Sequence, residues 1–253
     1  MADSKYSLDN LIIFLNNNFT LLIIVLAVFV GGFVSGSLWK ETQVNQQDQA
    51  AQPEVKAGQD QPQRPSEPTQ ETMKNLPPVN EADHQLGAAE PKLTIVEYSN
   101  FLCGHCNNFQ STMTQLIEEY GQQIKWVYRH FAFNTGSQNL AALTECVGKY
   151  GGEDKFWQFS DELHQAISED SSNAQLENAY QLAAKVGVNQ STVKNCVESG
   201  EFQQKVEQQA QGGKAAGATG TPNSFIITDD GQYHFVRGAL PFSMLQSTIE
   251  ELL

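Results

Sequence analysis

The stretch LTIVEYSNFLCGHCNNFQSTMTQLIEEY, residues 93–120, contains the pattern from which the fold can be inferred. Its first part, LTIVEYS, is apolar with β-branched and aromatic residues, which predicts a buried strand. Its last part predicts a helix, because apolar residues recur at helical spacing at Phe109, Met113, Leu116, Ile117 and Tyr120. Two cysteines, Cys103 and Cys106, lie where the strand ends and the helix should begin.

A Cys-x-x-Cys pair at a helix N-terminus is suited to thiol–disulfide exchange. The unpaired backbone N–H groups and the helix dipole favour a thiolate on Cys103, and the thiolate is the attacking species. Cys106, one turn further along, can resolve a mixed disulfide, and His105 between them can add a cation or a hydrogen-bond donor. This pattern favours a redox site.

A zinc site and a purely structural disulfide are the alternatives for this pair. Zinc usually takes four ligands at short paired spacings, whereas Cys146 lies 40 residues beyond Cys106 and Cys196 a further 50 residues on. A disulfide closed over two residues removes little chain entropy. We therefore predict no metal, and the sequence indicates no cofactor.

Two further features bear on the cysteine pair. Glu97 lies inside the apolar strand six residues before Cys103, where a carboxylate is costly to bury unless it has a role. The alternative is that Glu97 faces water from an edge strand. Thr221 and Pro222 precede a later apolar run, and Pro222 is either an ordinary turn residue or a cis-proline that brings backbone close to the reactive sulfur.

The remaining elements follow from the same kinds of pattern. The sequence predicts a second strand over residues 124–133, a long helical block from about 138 to 215, a strand at 224–228, a turn at DDG with a partner strand, and a final helix after residue 240. The order is strand, helix, strand, helical block, strand, strand, helix, which is an α/β arrangement.

At these residues the chain resembles the thioredoxin superfamily, and more closely its DsbA-type branch of bacterial disulfide oxidoreductases. The motifs that carry the resemblance are TIVEYSNFLCGHCNNF, KWVYRHF, KFWQF and TGTPNSFI. The resemblance implies a thioredoxin-like fold with an inserted helical domain at about 137–215. It also implies site roles, with Cys103 as nucleophile, Cys106 as resolving cysteine, Glu97 as the buried acid that relays its proton, and Thr221 and Pro222 as a substrate-backbone site with a cis-proline.

One part of the motif departs from the strong oxidants of that branch. Gly104 and His105 stand where those proteins have Pro-His, and the pair is similar to the dipeptide of eukaryotic protein disulfide isomerase. The direction of electron flow therefore stays open between an oxidase and an isomerase or reductase.

The other two cysteines fall on apolar helical faces. Cys146 shares a face with Leu143 and Val147, and Cys196 lies with Val193 and Val197. They are either two buried free thiols or, in an oxidising compartment, a disulfide, and we predict the disulfide. His84, His130, His164 and His234 show no ligand spacing and are expected to be surface or packing residues.

The N-terminal third of the chain differs from the rest. Residues 19–39 are apolar and uncharged over a length that can cross a bilayer, so residues 1–40 are predicted to be a cytoplasmic head and a transmembrane anchor. A cleaved signal peptide is the alternative. Residues 41–82 are rich in Gln and Pro and predict a disordered tether, which leaves 83–253 as the catalytic domain.

Charge and cysteine chemistry complete the sequence prediction. The net charge of −14 makes nucleic acid an unlikely partner, since the phosphate backbone would be repelled. We predict a monomeric, single-pass protein of the bacterial inner membrane with its domain on the periplasmic side. It would oxidise exported unfolded proteins that carry cysteine pairs, and the family resemblance implies that a membrane quinone-linked thiol oxidase reoxidises it. A tethered binding module or chaperone is the alternative from outside the enzymes.

Overall fold

The computed structural model describes residues 66–253, which form a mixed α/β fold. The strands of this region are β1 His84–Gly87, β2 Leu93–Ser99, β3 Ile124–His130, β4 Asn223–Thr228 and β5 Tyr233–Arg237. Its helices are α1 Gln70–Met73, α2 Gly104–Tyr120, α3 Thr135–Gly151, α4 Glu153–Glu169, α5 Leu176–Lys185, α6 Gln190–Ser199, α7 Gln203–Ala216 and α8 Phe242–Leu252. A 3₁₀ turn, Ser171–Ala174, joins α4 to α5.

The sheet has the order β1-β3-β2-β4-β5, so β2 lies at its centre. Strand β2 pairs parallel with β3 and antiparallel with β4, while β1 and β5 form the antiparallel edges. Glu97 on β2 lies opposite Tyr128 on β3 and Ser224 on β4. Because both faces of a central strand are covered, nearly every residue of β2 is buried, including this glutamate.

Two apolar cores cover the two faces of the sheet. The larger core joins alternate residues of the strands to α2, α8 and the helical block, through side chains such as Ile95, Trp126, Phe109, Leu143 and Ile249. The smaller core lies on the opposite face, where Val96, Tyr98 and Phe225 pack with Met73 and Ala216. The alternation along β2 explains this division, since successive side chains of a strand point to opposite faces.

Helices α3 to α7 lie between β3 and β4 in the chain and form the helical block. Helix α3 begins with a capping box, in which the side chain of Asn134 accepts a hydrogen bond from the backbone of Ser137 at 2.9 Å. A disulfide between Cys146 on α3 and Cys196 on α6 joins two helices of the block. Every helix of the block except α7 contributes to the larger core.

Most of the elements predicted from the sequence are confirmed. The strand at 93–99, the following helix, the hairpin turn before β5 and the last helix all occur in the structure. The second strand was predicted too long, because β3 ends at His130 and Phe131 already donates its N–H to the carbonyl of Ser99. The long helical block predicted at about 138–215 consists of five helices, α3 to α7.

Two elements, β1 and α1, were not predicted from the sequence. The composition of residues 66–82 predicts part of a disordered tether, but within them α1 forms and Met73 and Leu76 are buried in the smaller core. The guanidinium of Arg129 donates to the carbonyls of Pro77 and Pro78 and is paired with Asp83. A few well-placed apolar residues and one buried arginine thus order a segment whose composition suggests disorder.

Two predictions about the N-terminal part fall outside the described residues. These are the transmembrane anchor at 19–39 and the tether up to residue 65. Among the helices of residues 66–253, none has the length and hydropathy needed to span a bilayer.

Candidate active site

The cysteine pair lies where β2 ends and α2 begins. Cys103 is the N-cap residue of α2 and has an extended backbone, so its side chain precedes the first helical turn. Asn100 fixes this junction, because its backbone carbonyl accepts from the N–H of Cys103 at 2.9 Å and its side-chain oxygen accepts from the N–H of Leu102 at 2.9 Å. The turn therefore holds the first sulfur at the positive end of the helix.

The two thiols have opposite proton affinities. Cys103 is partly exposed, and a hydrogen bond from the thiol of Cys106 lowers its pKa to about 5, with help from Thr221 and from the backbone N–H groups of Cys106 and His105. Cys106 is fully buried, and burial raises its pKa well above the ordinary thiol value, reinforced by the pairing with Cys103 and the charge of Glu97. At neutral pH the pair therefore holds one thiolate, on Cys103, and one thiol.

The loop before β4 lies against the first sulfur. The peptide bond between Thr221 and Pro222 is cis, and the carbonyl oxygen of Thr221 lies 3.3 Å from the sulfur of Cys103, where it accepts a hydrogen bond when that thiol is protonated. The carbonyl of Pro222 accepts from the N–H of Gly238 at 2.9 Å and from the side chain of Asn223 at 2.7 Å. These bonds hold the loop in register with the sheet beside Cys103.

Glu97 is completely buried behind the cysteine pair and does not face water from an edge strand. Its Oε2 accepts a hydrogen bond from the indole N–H of Trp126 at 3.0 Å. Its Oε1 has no hydrogen-bond partner among residues 66–253. Burial raises the pKa of this carboxyl to about 7, against the opposing effects of Ser99 and Trp126, so it can give or take a proton near neutral pH.

His105 is exposed at the protein surface. Its backbone N–H contributes to the lowered pKa of Cys103, whereas its imidazole is not among the leading causes of that shift. The sequence pattern predicts that the side chain of His105 acts on the sulfur of Cys103. In the structure the group of His105 that lowers the pKa of Cys103 is its backbone N–H.

The second cysteine pair lies away from the exposed surface. Cys146 and Cys196 are both buried, and they form the disulfide that joins α3 to α6, with their Cα atoms 6.0 Å apart. Their neighbours are apolar side chains of the larger core, such as Leu143, Val147 and Val193. The pair has no helix N-terminus beside it, since both residues lie inside their helices.

A buried polar cluster around Glu145 was not predicted from the sequence. This carboxylate is within ion-pair distance of His84 at 3.0 Å, His130 at 3.2 Å and Lys205 at 2.6 Å. Although burial acts in the opposite direction, the neighbouring imidazoles of His130 and His84 hold the pKa of Glu145 well below its ordinary range. His84 and His130 are thus polar core residues that link β1, β3 and α3. Their contact with Glu145 could not be predicted, because the three residues are far apart in the sequence.

No group of three or more His, Cys, Asp or Glu side chains in the described part of the chain is arranged to hold a metal ion. Two large apolar side chains are exposed, one next to Cys103 in the chain and one next to the start of α3. Leu102 is 43% exposed directly before Cys103, and Phe133 is 55% exposed just before α3. A Cβ added at Gly136 would lie 3.4 Å from the side chain of Leu102, which places Leu102 against the start of α3.

A family model described as Thioredoxin matches residues 79–251, and the chain belongs to this family. The structure is similar to the crystal structure of alpha-DsbA1 from Wolbachia pipientis, with 21% identity, a TM-score of 0.62, and coverage of 72% of this chain and 95% of that one. It is also similar to oxidised BdbD from Bacillus subtilis, with 21% identity, a TM-score of 0.57, and coverage of 74% and 95%. These likenesses establish the thioredoxin-like fold expected from the sequence.

Sequence comparison with curated proteins gives a partial match. The chain is 26% identical over 151 residues to a Na(+)/H(+) antiporter NhaA of Herminiimonas arsenicoxydans, which takes in 59% of this chain and 23% of the antiporter. The chain thus spans about a quarter of the length of the curated relatives that it matches.

Proposed function

We propose that this chain is a protein thiol–disulfide oxidoreductase that acts through Cys103 and Cys106. The observation that carries the proposal is the opposition of the two thiols. The pKa of Cys103 is lowered to about 5 at a partly exposed helix terminus, while burial raises the pKa of Cys106. A stable thiolate beside a buried thiol is the arrangement that dithiol–disulfide exchange requires.

The proposed reaction begins with the Cys103–Cys106 disulfide. A substrate thiolate attacks the sulfur of Cys103, the disulfide breaks, and Cys106 leaves as a thiolate that must be protonated. A second substrate thiolate then attacks the substrate sulfur of the mixed disulfide and releases Cys103 as a thiolate. The products are a substrate disulfide and the reduced pair, so two electrons move from substrate to enzyme.

Glu97 and the loop at Thr221 have separate parts in this scheme. With a pKa of about 7, Glu97 is protonated in a large share of molecules near neutral pH and serves as the proton source for Cys106. The backbone of Thr221, which lies next to the sulfur of Cys103, offers hydrogen bonds to the main chain of a substrate. Leu102 and Phe133 add exposed apolar surface that suits an unfolded polypeptide.

The low pKa of Cys103 bears on whether the chain oxidises or reduces its substrates. Stabilising the reduced thiolate form makes the corresponding disulfide a better oxidant. The low pKa of Cys103 therefore favours an oxidase, whereas the Gly104-His105 dipeptide keeps the isomerase alternative open. We propose oxidation of exported proteins with cysteine pairs as the main activity, with reoxidation by a membrane quinone-linked thiol oxidase.

We further propose that the domain acts outside the cytoplasm as a monomer, held to the bacterial inner membrane by residues 19–39. Two observations support an oxidising compartment, namely the apolar N-terminal stretch and the Cys146–Cys196 disulfide, since such disulfides persist in oxidising spaces. Protease added to intact spheroplasts should remove the domain and spare the first residues. Full protection of the domain would contradict the proposed topology.

Oxidative refolding of a reduced test protein distinguishes the proposed function from its alternatives. The oxidised chain should form disulfides in the reduced substrate in stoichiometric amounts and turn over when an oxidant is supplied. An isomerase would instead rescue a substrate with scrambled disulfides, and a chaperone-like binder would change the yield without any change in its own thiols. The matched control is Cys103→Ser, which should bring the rate to that of the oxidant alone.

A further inference from the structure

No hydrogen bond joins the buried carboxyl of Glu97 to the buried thiol of Cys106, since Oε2 is bonded to Trp126 and Oε1 has no partner among residues 66–253. The side chains that lower the pKa of Glu97 are those of Ser99 and Trp126, and the side chains that influence the pKa of Cys106 include Cys103, Ser99 and Thr221. Glu97 acts on Cys106 through its charge alone. A proton that moves between them therefore needs a group in between, and Ser99 is the residue that both share.

The position of Ser99 follows from the register of the sheet. It lies two residues after Glu97 on β2, so the two side chains point to the same face. The backbone of Ser99 is fixed, because it pairs with His130 and its carbonyl accepts from the N–H of Phe131 at 2.7 Å. The side chain is completely buried at the last residue of β2, four residues before Cys103.

The hydroxyl of Ser99 is not committed to any one partner. Its Oγ has no aligned hydrogen bond to any residue from 66 to 253, although it is close enough to lower the pKa of both Glu97 and Cys106. The free carboxylate oxygen of Glu97, Oε1, is likewise without a partner in that region. A hydroxyl can rotate about its C–O bond, accept one proton and donate another.

We infer that the Ser99 hydroxyl is the proton relay between Glu97 and Cys106. The inference rests on the proposed function and adds a residue to it. As the substrate thiolate attacks Cys103 and the Cys103–Cys106 bond breaks, Ser99 gives its proton to the departing Cys106 thiolate and takes one from the Glu97 carboxyl. Glu97 ends as a carboxylate, Cys106 as a thiol and Ser99 unchanged, and the reverse path deprotonates Cys106 when it attacks.

The other titratable groups that face this region do not supply the proton. Burial raises the pKa of Tyr128 well above its ordinary value, so it stays a neutral phenol. Burial lowers the pKa of His164 to about 3, and that of His130 is also lowered, so both imidazoles are neutral near pH 7. The nitrogens of His164 already face Asn107 at 2.7 Å and Tyr128 at 3.3 Å.

The test is the rate of the first exchange step in three variants of the full chain. Oxidised protein is mixed with a cysteine peptide and the mixed disulfide is trapped by acid quench. Ser99→Ala should slow this step roughly tenfold or more and should shift its inflection near neutral pH upward, because the hydroxyl lowers the pKa of Glu97. Ser99→Thr, which keeps a hydroxyl, should restore most of the rate and the wild-type pH profile.

Ser224→Ala is the matched control. Ser224 is also buried, lies opposite Glu97 in the sheet, and has an Oγ without a hydrogen-bond partner in the described region. It is not among the leading causes of the Cys106 pKa shift, so its loss should leave rate and pH profile unchanged. Removing an unsatisfied hydroxyl should not destabilise either variant.

The outcomes separate the relay from the proposed function. If the wild-type chain forms no mixed disulfide, the proposed function itself fails. If the wild type is active and Ser99→Ala matches it in rate and pH profile, the relay is wrong and the function stands. If Ser224→Ala slows the step as much as Ser99→Ala, the effect belongs to packing beside Glu97, and the relay is again contradicted.

Discussion

The protein contains two cysteine pairs whose surroundings differ in almost every physical respect. Cys103 and Cys106 lie at the first turn of α2 as thiols, one partly exposed and one buried beside a carboxyl group. Cys146 and Cys196 lie inside α3 and α6, are bonded to each other, and contact apolar side chains. The first cysteine pair is therefore placed for thiol–disulfide exchange, and the second pair cross-links two helices.

The comparison shows which features make a cysteine reactive. A helix N-terminus and a neighbouring thiol donor stabilise a thiolate on the partly exposed Cys103, whereas Cys146 is completely buried among apolar side chains. The length of chain closed by each disulfide favours the second pair as the stabilising cross-link. The two-residue gap of the first pair constrains the chain very little, but the 50-residue separation of the second pair constrains it strongly.

The largest expected effect is the loss of exchange when the first pair is broken. Cys103→Ser should reduce the rate of substrate oxidation by at least about a thousandfold, because no other described thiol is both exposed and ionised. Cys106→Ala should instead trap a mixed disulfide through Cys103, visible by mass spectrometry without reductant. A double Cys146→Ala, Cys196→Ala variant should keep nearly the wild-type rate. Loss of its activity would contradict the claim that only the first pair is needed for exchange.

The same double variant should lose stability. A disulfide that closes a loop of 50 residues is worth about 4 kcal/mol in the chain-entropy model. We expect the free energy of unfolding in urea to fall by roughly that amount, with Cys103→Ser as the control that leaves it nearly unchanged. An equal loss in both variants would show that the second pair is not the stabilising one.

Glu97 should make stability fall as the pH rises. Its pKa is raised in the fold from 4.5 to about 7, so between these values the unfolded chain ionises while the folded protein keeps a neutral carboxyl. The favourable contribution is therefore fully present below about pH 4.5 and is lost as the pH rises through about 7, a difference of roughly 3 kcal/mol.

The variant Glu97→Gln tests this dependence, because an amide cannot ionise. At about pH 8 it should be more stable than the wild type by up to roughly 3 kcal/mol, and at about pH 4 the two should agree. Urea unfolding at both pH values measures the difference. The same variant should slow exchange, so a gain in stability together with full activity would contradict the proposed role of Glu97.

The smallest effect should come from His105. Because its side chain is exposed and the donor to Cys103 is its backbone N–H, His105→Ser should move the pKa of Cys103 by about half a unit or less. Alkylation rates measured against pH would give this shift. A change of about two units or more would show that the imidazole, and not the helix terminus, stabilises the thiolate.

The parts of the site that could be predicted from the sequence are those with local patterns. Periodicity and spacing within residues 93–120 predict strand β2, helix α2 and the positions of Cys103 and Cys106 at their junction. Glu97 could be suspected because a charged residue interrupts an apolar strand. The fold as a whole was indicated by the order of the elements and by the family resemblance.

The parts that escaped prediction depend on contacts between distant segments. Strand β1 has four residues and, within residues 66–253, pairs only with β3, so its sequence carries little signal. The pairing of Arg129 with Asp83 joins residues that no spacing rule connects. In the sequence Ser99 is an ordinary strand residue, and its burial together with its influence on the pKa of both Glu97 and Cys106 distinguishes it.

The central claim is that Cys103 alone of the described cysteines is a thiolate at neutral pH. The most direct test is a pH titration of thiolate ultraviolet absorbance in the protein with Cys103–Cys106 reduced and Cys146–Cys196 intact, with Cys103→Ser as the blank. The account predicts a single thiolate with a pKa of about 5 that vanishes in the blank, while Cys106 stays protonated throughout the neutral range. A first ionisation near the ordinary value of 9, or one that persists without Cys103, would contradict it.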